Sequence, residues 1–111
     1  MTTIEKVEEL VGWVRYRRRE THKRLHEARM TAVIEAQDRD PDFRPSDDGW
    51  RRSFGSISSA YREARGRGLV SQLRIDRCDL IEQEYYVWMD VGEYTELLFS
   101  AELSSDEVAV V

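Results

Sequence analysis

Several things are scarce in this chain of 111 residues, beginning with cysteine, of which there is one, Cys78. A lone cysteine forms no internal disulfide, which excludes a disulfide scaffold and a Cys-rich zinc finger and fits a reducing compartment. No apolar run approaches the roughly 18–20 residues that cross a bilayer, so no membrane contact is expected. The start Met1-Thr2-Thr3-Ile4-Glu5 lacks the basic-then-apolar pattern of an export signal, and the expected location is the cytoplasm. Asparagine is absent and lysine occurs only at Lys6 and Lys23, so the cationic residues are almost all arginine. That bias reflects a GC-rich coding sequence as readily as a need for guanidinium. No Lys or Arg follows Arg77, and this last absence organises the rest.

Residues 1–77 hold all 17 basic residues against 13 of the 22 acidic ones, whereas residues 78–111 hold nine acidic residues and no base. The net charge of −5 therefore conceals a first part at +4 and a second at −9. A binding surface responds to the local field rather than to the total, so an acidic protein is not thereby barred from nucleic acid. The length suits one domain with a small core.

Apolar spacing marks helices. Thr2 followed by Glu5 is a capping-box pattern, and Ile4, Val7, Val11 and Val14, with Leu10 and Trp13 beside them, recur every three or four residues. The stripe lapses over Arg15–Arg24, a basic waist, and resumes at Leu25, Ala28, Ala32 and Ala36. One long helix or two broken near Thr21 fit equally. Pro41 and Pro45 stop helicity and make 38–46 a loop. Trp50 and Phe54 suit a short helical turn. Gly55-Ser56 reads as a break and a new cap for a helix bearing Ile57, Ala60, Tyr61 and Ala64, which Gly66 and Gly68 end. Leu69–Ile75 and Glu82–Met89, rich in β-branched and aromatic residues about the turn formers Asp76–Asp79, read as a β-hairpin. Asp90 and Glu93 would cap a last helix carrying Val91, Tyr94, Leu97, Leu98 and Ala101.

The stretch Ser56-Ile57-Ser58-Ser59-Ala60-Tyr61-Arg62-Glu63-Ala64-Arg65-Gly66-Arg67-Gly68-Leu69-Val70 resembles the recognition helix and wing entry of the winged helix-turn-helix family. Tyr86-Val87-Trp88-Met89-Asp90-Val91-Gly92 through Leu98 is similar to that family's last wing strand and C-terminal helix. The resemblance implies a mainly α fold with a small β-hairpin: a winged-helix-like domain over 46–103, an extended N-terminal helical region over 1–38 that could dimerise, and a tail over 104–111. It implies a DNA-binding transcriptional regulator whose helix enters the major groove. Ser56, Ser58, Ser59, Arg62 and Arg65 would meet DNA from the helix, with Arg51, Arg52, Arg67, Arg74 and Arg77 around it. Residues 51–77 hold seven arginines against Glu63 and Asp76, a field that attracts phosphate. Two features depart from the pattern: Gly49 and Gly55 interrupt the preceding helix, and the expected wing tip is acidic.

Each feature has a plainer counterpart. Arg15, Arg17, Arg18, Arg19, Lys23 and Arg24 could form a second nucleic-acid contact, hold an acidic protein partner (Arg15, Arg17, Arg18 and Arg19 foremost), form a solvated face, or pair with residues 78–111 of a neighbouring subunit. A homodimer with Ile4, Val7, Leu10, Val11 and Val14 as its seam is expected. His22 and His26 have metal-ligand spacing, but without a third ligand and with Lys23 and Arg24 beside them no metal is assigned. Glu82/Glu84 and Asp90/Glu93 lack a nucleophile or oxyanion donor nearby, so no catalytic residue and no cofactor is assigned. The alternative to DNA binding is a non-enzymatic interaction protein, an adaptor or a viral assembly component.

Overall fold

A computed structural model describes residues 2–110; of 105–110 only the backbone is described. Three helices are found among the described residues: α1 (Thr3–Arg39), α2 (Phe54–Gly66) and α3 (Gln72–Val110). The chain divides into a two-helix unit, residues 1–21 with 84–111, and a three-helix unit, residues 22–83.

The expected β-hairpin, and with it the winged-helix fold, is overturned: no strand occurs among the described residues, and Gln72 to Val110 is one helix. The second supposed wing strand, Glu82–Met89, lies within α3, and the first, Leu69–Ile75, is the lead-in to α3 and its first turn. Strand propensity is a weak preference that packing overrides. Here Cys78, Ile81, Gly92 and Thr95 are buried at helical spacing. Asp90 caps nothing; it lies mid-helix. The tail expected over 104–111 falls mostly outside the described side chains.

α1 starts where the capping pattern places it, with Glu5 N–H donating to Thr2 Oγ1 at 3.1 Å. It passes through the basic waist unbroken. Buried Thr21 donates its hydroxyl to the Arg17 carbonyl at 2.8 Å, so its polar group is satisfied within the helix. α2 begins earlier than Gly55-Ser56 suggests: Ser53 is the N-cap, its hydroxyl accepting from Ser56 N–H at 3.1 Å. Its end is a Schellman turn, with Leu69 N–H on the Ala64 carbonyl, Gly68 N–H on that of Arg65, and Gly68 at φ 70°.

In the three-helix unit, Ala32 and Ala36 of α1, Ala60 and Ala64 of α2, and Cys78 of α3 let the helices approach closely around Val33, Ile57 and Tyr61. Phe43, Trp50 and Val70, all outside the helices, close the core. The two-helix unit is leaner: its only buried apolar side chains among the described residues are Val7, Val11 and Val14. Val14 faces α3 of its own chain at Gly92, where a Cβ would lie 3.6 Å from Val14 Cγ1.

Candidate functional site

The sequence-derived DNA-binding residues all lie in the three-helix unit. Ser59, Arg62 and Arg65 are exposed on α2. Ser58, Arg62 and Arg65 share a cavity of about 170 Å³ with Arg29, Tyr61 and Glu82. Arg65 is ion-paired to Asp79 at 3.3 Å. Ser56 is engaged internally, its hydroxyl donating to Asp47 Oδ2 at 2.6 Å. Arg51 lies over Trp50, 4.5 Å from the ring centroid, and Arg67 over Phe43 at 5.3 Å. Arg74 and Arg77 sit on α3, not on a hairpin; they share a cavity of about 200 Å³ with Arg24, Glu27 and Cys78, and Arg74 is paired to Glu35. Arg52 is exposed in the turn before α2. The unit carries 12 basic and 11 acidic residues, and of the arginines of 51–77 Arg65 and Arg74 are ion-paired, to Asp79 and Glu35.

The basic waist has partners in its own chain. Arg15 Nη2 lies 2.6 Å from Glu96 and Arg17 Nη2 3.2 Å from Glu84. Exposed Arg19 joins Gly12, Arg15 and Arg18 around an open depression. No group of three or more His, Cys, Asp or Glu able to hold a metal occurs among the described residues. The His22 ring stacks on Phe54 with centroids 3.9 Å apart. Burial first, then the nearby charges of His26 and Arg29, push its imidazole below the ordinary histidine range.

The feature not anticipated is an apolar, aromatic face on the two-helix unit. Trp13 of α1 and Trp88 of α3 meet edge to face at 5.3 Å, and the Arg17 guanidinium covers both rings at 5.7 and 5.3 Å. These contacts fix which sides of the two helices adjoin. Leu10, Trp13 and Arg17 share one side of α1, and Glu84, Trp88, Val91 and Leu98 share one side of α3. Val87 and Tyr94 flank the latter row. Arg15, two positions after Trp13, lies on the opposite, charged side with Glu96. Leu10 is 43% exposed, Trp13 54%, Val87 56% and Tyr94 67%. Arg17 Nε is buried and has no hydrogen-bond acceptor among the described residues.

A signal for this face was present in the spacing. Leu73, Leu80, Val87, Tyr94 and Ala101 recur every seventh residue, the period of a helix that packs lengthwise on another helix. Within this unit Val87, Tyr94 and Ala101 are its exposed members.

No protein-family model matches the sequence, and no characterised protein or solved structure shows significant similarity to it. No helix among the described residues is long and apolar enough to cross a membrane.

Proposed function

We propose that the protein is a non-enzymatic interaction module of the cytoplasm, an adaptor or assembly component, that binds other protein through the aromatic face of its two-helix unit. The observation that carries this reading is the row Leu10, Trp13, Val87 and Tyr94, large apolar side chains left in solvent on one side of two paired helices. Contiguous exposed apolar surface marks interaction sites, and Trp and Tyr dominate the energetics of such sites. The test is in-cell photo-crosslinking with benzoylphenylalanine at Trp13 or Tyr94. Covalent protein adducts that disappear when Leu10→Glu is added support the reading. Adducts no more abundant than from the charged side, at Arg19, overturn it.

Binding to duplex DNA, as a regulator, is a second reading, favoured by Ser59, Arg62 and Arg65 exposed together on α2. Fluorescence anisotropy against random duplexes at low and near-physiological salt tests it. Salt-sensitive binding that falls about tenfold or more in Arg62→Ala/Arg65→Ala supports it; no binding at low salt ends it.

A further inference from the structure

We infer that the occupant of the aromatic face is a second copy of this chain, packed so that residues 3–21 of α1 in each copy lie on α3 of the other, giving a four-helix bundle. The inference rests on the proposed interaction reading and specifies its partner.

Three observations lead there. The first is the sparse burial of the two-helix unit, which has only Val7, Val11 and Val14 inside. Two helices bury one seam between them; a second pair doubles the layers and encloses the remaining apolar face. The second is size. Residues 3–21 rise about 28 Å, and two helices side by side are about 20 Å wide, so two such faces would bury about 1,100 Å² together, near the lower end for specific interfaces.

The third is charge, and it selects the partner and the pairing. Within this unit α1 carries all five basic residues, Lys6, Arg15, Arg17, Arg18 and Arg19, against Glu5, Glu8, Glu9 and Glu20, a net +1, while α3 carries seven acidic residues and no base, a net −7. Two faces related by a two-fold axis can stack α1 on α1 and α3 on α3, which sets acid against acid. They can also stack α1 on α3, which sets each strongly acidic helix against a slightly basic one; every neighbouring pair is antiparallel in both arrangements, so charge alone decides between them. The second arrangement is the favourable one. It directs Leu10 between Val91 and Leu98 of the partner subunit and sets Trp13 beside the partner's Val87 and Tyr94.

Light scattering on size-exclusion chromatography of the full chain at micromolar concentration tests this. The expected mass is twice the 13.1 kDa of one chain. Leu10→Glu/Tyr94→Glu, both at exposed sites, should raise the dissociation constant about tenfold or more while far-UV circular dichroism stays helical. Pairing is read from disulfides: Leu10→Cys chains mixed with Leu98→Cys chains form a covalent heterodimer, and Leu10→Cys alone does not. This readout holds even if the double-Glu variant unfolds. A monomeric wild type, or a dimer indifferent to Leu10→Glu/Tyr94→Glu that gives no mixed disulfide, overturns the inference. A monomer whose face still crosslinks to a different protein in cells overturns only the second copy and leaves the interaction reading standing. No crosslink and no dimer remove both.

Discussion

Tyr61 and Cys78 show how a core residue sets a chemical property. Burial, with the Cys78 thiol beside it, pushes the Tyr61 phenol up to about 12, and burial likewise raises the Cys78 thiol above its ordinary value. An acid whose folded pKa is raised stabilises the fold at pH below its unfolded value and loses that contribution as pH rises toward the folded one. The thermal midpoint should therefore fall progressively from about pH 9 to 12, and less steeply in Tyr61→Phe. In the same variant the melt at pH 7 should change little, because the lost hydroxyl is buried against the Cys78 thiol, a weak hydrogen-bond partner. Cys78 should also react slowly with a thiol reagent at pH 8 and quickly once unfolded. Gly92 makes a different point. A Cβ there would lie 3.0 Å from Arg18 Nη1, the movable end of a long side chain, so Gly92→Ala should be tolerated, with a helix-propensity gain of up to about 1 kcal/mol offsetting the displaced guanidinium. Gly92→Leu should separate the helices, seen as a lower melting midpoint.

At the scale of elements, the connection between α1 and α2 is held by side chains reading backbone. Ser53 caps α2, and Ser53→Ala should cost about 1 kcal/mol in denaturant melts. Glu63 accepts from Ser46 N–H at 2.9 Å and from the Ser46 hydroxyl, and Asp47 from the Ser56 hydroxyl and Gly49 N–H. These bonds, the Ser46 and Ser56 hydroxyls foremost, hold both carboxyls below the ordinary carboxylate range. Depressed carboxylate pKa values mean stability that is present above the unfolded value and lost as pH falls through the folded one. Acid should loosen this connection first, as faster amide exchange over 42–53 below about pH 4, corrected for intrinsic rates. The Thr2 cap, the proline loop, the buried face of α2 and the Gly68 stop were all legible because each is a local rule acting on neighbours in sequence. α3 was not. Its buried row includes Cys78, Gly92 and Thr95, residues that carry little apolar signal, while Tyr85, Tyr86, Val87 and Trp88 imitate a strand. The aromatic face was missed for the same reason, since reading α3 as hairpin plus helix cuts its seven-residue row in two.

For the molecule as a whole, the distribution of burial decides where it yields. Phe43, 1% exposed, fills the three-helix core from a segment without regular structure, and Phe43→Ala should cost about 3–5 kcal/mol in equilibrium unfolding. The two-helix unit, with far less inside, should exchange its amides earlier than the three-helix unit, and its protection should rise with protein concentration as copies associate. Part of the charge division of the sequence is answered within the chain, since Glu96 and Glu84 pair with Arg15 and Arg17. Arg15 and Glu96 are 81 positions apart. During translation, then, Val7, Val11, Trp13 and their neighbours emerge from the ribosome long before their partners are made, and a nascent chain must carry that apolar helix uncovered until residues 84 onward have followed. Stalled or truncated chains that end before about residue 84 should accordingly be preferred clients of ribosome-associated chaperones.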